Sequence, residues 1–223
     1  MEIKSAKFIT SAATASQFLT PEKPMIAVCG KSNVGKSSLI NMLANHKGLA
    51  KTSASPGRTR LVNYFDFGAF WLADLPGYGY AAVGRQEKEK WSRTMSDFFA
   101  ESGKIRHVLA LVDIRHGATE DDMNLLRLLN YYILPFTVVF TKADKLSRMK
   151  AKEHAYKILA SMGLSGVPSV VTSSSTRAGR EQLLSRIEEV LSAPLPDEAF
   201  ADGEEDGDET LLIKENNYKE EKI

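Results

Sequence analysis

Gly30-Lys31-Ser32-Asn33-Val34-Gly35-Lys36-Ser37 reads G-x-x-x-x-G-K-S, directly after the apolar run at 25–29 and directly before the helix-forming run SLINMLANH. That order predicts a strand, a tight turn and a helix, with successive backbone N–H groups of the turn pointing inward at an anion. The positive end of the helix is aimed at the same spot. Gly30 and Gly35 supply the backbone freedom, Lys36 a fixed cation, and Ser37, with Ser38 beside it, a hydroxyl suited to magnesium. The ligand such a loop takes is the phosphate chain of a nucleoside triphosphate.

The rest of the chain alternates short β-rich runs with amphipathic stretches, the pattern of a parallel sheet wrapped by helices. Strands are predicted at 25–29, 61–67, 69–73, 108–113, 136–141 and 169–172, and helices at 36–44, 85–100, 120–131, 147–161 and 180–191. Only Gly68 separates the second strand from the third, too little for a crossover helix, so that pair must be an antiparallel hairpin at the sheet edge. The expected fold is therefore α/β of the phosphate-loop NTPase type: a mostly parallel six-stranded sheet with one antiparallel edge hairpin strand, and helices on both faces. Residues 1–21 read as an N-terminal extension, in which 4–10 could add an edge strand. Residues 22–195 read as the nucleotide-binding domain.

The formal net charge of +1 conceals an asymmetry. Residues 196–223 carry 11 acids against 3 bases, a net −8, and residues 1–195 carry 17 against 26, a net +9. The acidic segment reads as a solvated tail. The basic body suits a polyanion such as RNA, through counterion release. No apolar run approaches the roughly 20 residues a spanning helix needs. The N-terminus has no signal-peptide pattern, and the single cysteine, Cys29, excludes an internal disulfide or a cysteine-based zinc site. A cytoplasmic monomer is expected. The four histidines, His46, His107, His116 and His154, show no metal-binding spacing.

Four later segments, in order, narrow the nucleotide. Asp74-Leu75-Pro76-Gly77 ends a predicted strand, so Asp74 can hold magnesium and the Gly77 N–H can sense a γ-phosphate. Between it and the phosphate loop lies Thr52 to Thr59, with Pro56, Gly57, Arg58 and Thr59 at its end, rich in turn formers and cheap to order or release. Thr59 is the residue expected to close on magnesium when the γ-phosphate is present. Thr141-Lys142-Ala143-Asp144 follows another strand. The Asp144 carboxylate can accept from both the ring N–H and the exocyclic amine of guanine, which adenine cannot match. Lys142 would lie along the base and buttress the phosphate loop. Thr172 at the end of the last strand, and Ser173, Ser174 and Ser175 after it, offer N–H groups to the guanine carbonyl.

On GKSNVGKSSLIN, TSASPGRTRLVNYF, DLPGYGYA, LVDIRHGATEDD, TKADKL and SSSTRAG the sequence resembles the EngB (YihA or YsxC) family of translation-factor-class GTPases. The resemblance implies binding of GTP and GDP with magnesium, GTP hydrolysis, action on a large ribosomal subunit precursor of RNA and protein, and an association with septation and cell division. Thr141 stands where GTPases in general more often have asparagine, although the EngB-like pattern accepts threonine, and the change would loosen the tie between base loop and phosphate loop.

Tyr78 occupies the place where many GTPases carry a water-orienting glutamine. A phenol is a poor substitute there, so intrinsic turnover should be slow. Asn33 is the candidate to complete catalysis with Lys36 and Thr59, by holding a potassium ion against the phosphates as in related GTPases. The alternative for Asn33 is a turn residue bonding its own backbone. A ribosomal precursor could complete the site instead. Arg58 and Arg85 are possible cationic helpers, though surface ion pairing is the plainer reading. Asp113 and Arg115 could brace the switch region. Two other classes stay open: an ATP-dependent small-molecule kinase, disfavoured by Asp144, and a non-catalytic RNA-binding assembly adaptor clamped by GTP.

Overall fold

The Met25–Gly30 run has every residue buried, and its side chains alternate between two separate cores. A strand apolar on both faces can only be central, and in the computed structural model it is (β2). The structure describes residues 1–20, 22–51, 61–79, 85–101 and 105–194. Its compact unit spans Met1–Ser192.

The other strands are β1 (Lys7–Ala12), β3 (Val62–Asp66), β4 (Trp71–Asp74), β5 (Ile105–Asp113), β6 (Phe136–Thr141) and β7 (Ser169–Val171). They form one sheet in the order β1-β3-β4-β2-β5-β6-β7. β4, β2, β5, β6 and β7 run parallel, and the β3–β4 hairpin is antiparallel. Gly68 turns that hairpin at φ +83, a conformation that favours glycine, while Phe67 stacks on Phe70 across the turn.

Among the described residues the sheet has seven strands rather than six, because β1 pairs antiparallel with β3 through a register shift between Phe8 and Thr10. The antiparallel edge therefore holds two strands, β1 and β3. The segment read as an N-terminal extension thus supplies an edge strand to the main sheet.

The helices are α1 (Lys36–Ala44), α2 (Arg85–Glu101), α3 (Glu120–Tyr131), α4 (Arg148–Ser161) and α5 (Arg180–Ser192). One core joins Met25, Ala27 and Cys29 to Phe98 of α2, Leu125 and Leu129 of α3, and Ile158 of α4. The other joins Ile26 and Val28 to Leu39 and Leu43 of α1 and to Leu183 and Ile187 of α5. Each of the larger fully buried side chains contributes roughly 1.5–3 kcal/mol. α3 starts at a capping box, in which the Thr119 hydroxyl accepts from the Asp122 N–H and the Asp122 carboxylate accepts from the Thr119 N–H. Among the described residues no helix is long and apolar enough to cross a membrane.

All the parallel strands point their C-terminal ends the same way. In an open α/β sheet that end is where a ligand binds.

Candidate functional site

At the end of β2 a Cβ on Gly30 would meet the Leu111 and Val34 side chains at 2.9 Å, so only glycine lets the chain turn there. Gly35, at φ +115, caps α1, and its carbonyl takes the Leu39 N–H. The first N–H groups of α1 are left facing the loop. Lys36 Nζ reaches back over the loop to the Gly30 carbonyl at 3.4 Å. Ser32, Asn33, Gly35, Lys36, Ser37 and Ser38 line one wall of a cleft of about 700 Å³, and Asp74, Leu75, Pro76 and Gly77 line another.

Asp74 is buried at the end of β4, and its Oδ1 has no hydrogen-bond partner among the described residues; neither has the buried Ser32 Oγ. Unsatisfied buried oxygens are costly, and native sites keep them where a ligand completes them. A carboxylate and the Ser37 hydroxyl on one cleft are hard oxygen donors that fit magnesium. Burial pushes the Asp74 carboxyl up to about 6, against the pull of the Lys36 ammonium. The folded chain therefore holds that proton between about pH 4 and 6 where the unfolded chain has lost it, so this group's contribution to stability is lost as pH rises through 6. Nucleotide-free Asp74→Asn is accordingly expected to be more stable than the parent at pH 7.5, by on the order of 2–3 kcal/mol, and equal to it near pH 4. Thermal unfolding at the two pH values checks this, and no gain at pH 7.5 would contradict it.

The segment after Asp74 is anchored on several sides. The Leu75 N–H donates to the Val28 carbonyl, Trp91 Nε1 to the Pro76 carbonyl at 2.9 Å, and the Ser32 N–H of the phosphate loop to the Tyr78 carbonyl at 2.8 Å. The Tyr78 ring packs edge-on against Trp91, and its hydroxyl donates to Asp122 Oδ1 at 2.7 Å. Burial drives the phenol pKa well above its usual value. Tyr78 is thus a packing residue turned towards α3.

On the base side, the Thr141 hydroxyl donates to the Val34 carbonyl of the phosphate loop at 2.7 Å. The expectation that threonine here loosens the tie is corrected, because a short hydroxyl reaches the carbonyl directly. Lys142, at φ +61, donates from Nζ to the Asn33 carbonyl at 2.6 Å and pairs with Asp113 at 2.9 Å. Arg115 clamps the same carboxylate through Nε and Nη2, and this pair of cations holds Asp113 far below the usual carboxylate range despite partial burial. Asp113 therefore braces the base-loop lysine, while the loop at 52–60 that it was expected to brace lies outside the described residues. The Ala143 N–H bonds the Thr172 carbonyl, and the Ser173 hydroxyl bonds Asp144 Oδ1 at 2.7 Å and the Ser175 hydroxyl at 2.9 Å. The Ser173 contact comes first among the causes that hold the Asp144 carboxyl below its ordinary value.

The structure brings the phosphate loop, the Asp74–Gly77 segment, Thr141–Asp144 and Thr172–Ser175 to one end of the sheet. Pro56, Gly57, Arg58 and Thr59, the Arg85 side chain and the acidic tail lie outside the described residues. Asn33 is exposed, at φ +62, with its carbonyl on Lys142. No group of His, Cys, Asp and Glu capable of holding a metal by itself occurs among the described residues. Sequence reasoning missed the Tyr78–Asp122 contact, which joins residues 44 apart, and Gly179, where a Cβ would strike the Val171 carbonyl.

Residues 25–142 match the family model described as 50S ribosome-binding GTPase. The probable GTP-binding protein EngB of Caldanaerobacter subterraneus subsp. tengcongensis is 41% identical over 192 residues, 86% of this chain and 99% of that protein. The one from Flavobacterium psychrophilum is 45% identical over 195 residues, 85% of this chain and 95% of that protein. A crystal structure of a probable GTP-binding protein EngB superposes with a TM-score of 0.61 at 24% identity, over 75% of this chain and 98% of that one, a likeness of fold.

Proposed function

The chain belongs to the EngB family of GTP-binding proteins, and from that premise we propose a magnesium-dependent GTPase switch that acts on a large ribosomal subunit precursor. The observation that carries the nucleotide reading is the double tie of the base loop to the anion cradle, Thr141 Oγ1 on Val34 and Lys142 Nζ on Asn33. Through it one rigid frame presents the Asp144 carboxylate and the phosphate-loop N–H groups to a single ligand.

In this reading the Gly30–Ser38 run and Lys36 hold the phosphates and stabilise charge as the terminal phosphoryl leaves. Magnesium, held by Ser37, Asp74 and Thr59, supplies charge neutralisation on the phosphate oxygens when bound. Asp144 selects guanine, and Ser173 and Ser175 hold its carboxylate in place while Ser174 and its neighbours face the guanine carbonyl. The Gly77 N–H reports the γ-phosphate. Tyr78, buried on Asp122, leaves water positioning incomplete, so hydrolysis is slow until potassium at Asn33 or the ribosomal particle completes the site. The protein acts as a cytoplasmic monomer, and the link to septation follows from its role in making ribosomes. The basic body, net +9 over residues 1–195, supports an RNA-containing partner.

The deciding experiment is sedimentation of large-subunit precursors with the protein in its GTP and GDP forms, alongside single-turnover hydrolysis in matched sodium and potassium buffers. Co-sedimentation in the GTP form and faster turnover with particles are expected. Equal binding in both forms would remove the switch, equal rates in the two salts would remove potassium, and ATP turned over as readily as GTP would favour a kinase.

A further inference from the structure

α4 buries Ala151, Ala155, Ile158 and Leu159 against the sheet, which turns the opposite side of the helix outward. That side carries Arg148, Met149, Lys150, Lys152, Glu153, Tyr156 and Lys157, all exposed. Arg148, Lys152 and Tyr156 succeed one another at four-residue steps, so they stand in one row, with Met149 alongside. Met149 is 80% and Tyr156 69% exposed, two of the five large apolar side chains most open to solvent among the described residues. Single exposed apolar residues need no explanation. Here, though, they sit among cations that the fold does not neutralise. Glu153 is the lone acid of the helix and is taken by Lys157 at 2.6 Å, while Arg148, Lys150 and Lys152 have no ion-pair partner among the described residues.

We infer that the outer face of α4 is an RNA-binding surface, in which Arg148, Lys150 and Lys152 contact phosphates and the Tyr156 ring stacks on an unpaired base. Unneutralised cations beside a solvent-facing aromatic ring are the combination that binds single-stranded or looped RNA: charges track the backbone, and the ring offers a face to any base. A membrane is a poor occupant, because the apolar side of α4 is spent on the core. The position adds a consequence for the switch. α4 is capped by Ser147, whose hydroxyl accepts from the Lys150 N–H, three residues after Asp144. The RNA grip therefore starts within one turn of the residue that reads the base. The inference deepens the ribosomal reading above and rests on it only for which RNA is bound.

The test measures binding of a fluorescent 20-nucleotide single-stranded RNA of mixed sequence to the full chain across a salt series, and co-sedimentation with large-subunit precursors. The variants are Arg148→Glu with Lys152→Glu, Tyr156→Ala, Tyr156→Phe, and a charge-matched control, Lys4→Glu with Lys47→Glu, at two exposed lysines elsewhere. The α4 double variant is expected to bind RNA at least tenfold more weakly, with the slope of log affinity against log salt reduced by about 1.4. Tyr156→Ala is expected to lose roughly fivefold or more, and Tyr156→Phe, which keeps the ring, to stay within twofold of the parent. GTP hydrolysis without RNA is expected to be unchanged in all four. Equal losses in the control pair, or RNA affinities within twofold of the parent in the α4 double variant and in Tyr156→Ala, would overturn the surface. Retained RNA binding with lost co-sedimentation would also overturn it, in favour of a protein contact, and leave the ribosomal reading standing. Weakened RNA binding with unchanged co-sedimentation would uphold the RNA surface and count against the ribosomal reading.

Discussion

Asp144→Asn is expected to weaken GTP binding by a factor on the order of a hundred to a thousand and to create affinity for xanthosine triphosphate. A carboxylate offers two acceptor oxygens to the adjacent N–H donors of guanine, each bond worth roughly 1.5–3 kcal/mol because the acceptor is charged. An asparagine keeps one acceptor and turns a donor towards a donor, losing one bond and adding a repulsion. Xanthine carries a carbonyl where guanine has its amine, so the amide N–H gains a partner there. The framework should survive the change, because the Ser173 hydroxyl, 2.7 Å from Asp144 Oδ1, can donate to an amide oxygen as well as to a carboxylate. The Thr141 and Lys142 ties to the phosphate loop do not involve the carboxyl group. Calorimetry with the two triphosphates separates the outcomes. A variant that still holds GTP within tenfold of the parent would mean that Asp144 does not read the base.

The parts of the molecule legible in the sequence are those whose signal is local. The single glycine between two β-rich runs forced the β3–β4 hairpin. Gly30 and Gly35, ahead of Lys36, marked the turn into α1, and the acids from Glu120 to Asp122 marked the start of α3. β1 was harder to read because Lys7–Ala12 is half polar and mostly exposed or half-buried, so it becomes a strand only by lying against β3. The role of Asp113 was hidden for a related reason. Parallel pairing of β5 with β6 sets Asp113 opposite Thr141 and hence beside Lys142, a neighbour 29 residues away that no spacing rule supplies. The direct tie from Thr141 was hidden, since only the geometry reveals how near the Val34 carbonyl stands. Asp122 was visible as a helix-start acid, but its second oxygen serves Tyr78 from another loop.

Gly77→Ala is expected to lower single-turnover GTP hydrolysis on the order of a hundredfold, the scale of losing one aligned N–H donor to the transferred group, while GDP affinity changes less than tenfold. A Cβ at this position would lie 2.8 Å from Lys36 Nζ, 2.9 Å from Ser32 Oγ and 3.1 Å from the Ser32 Cα. The lysine end could swing aside, but only by leaving the place where the phosphates need its charge. The Ser32 Cα is backbone of the cradle and has nowhere to go. The segment cannot slide clear either, because the Leu75 N–H and the Pro76 carbonyl pin it to β2 and α2. In the proposed reading alanine therefore pushes the residue 77 N–H out of line with the terminal phosphate. GDP has no such phosphate and is affected mainly through Lys36. Tyr78→Phe provides the contrast. It keeps the ring against Trp91 and removes only the bond to Asp122, whose other oxygen still serves Thr119. It is expected to cost about 1–2 kcal/mol of stability with hydrolysis near that of the parent. Should Tyr78→Phe lose turnover as severely as Gly77→Ala, the phenol would have to take part in the chemistry, and its burial on α3 would describe only the resting form.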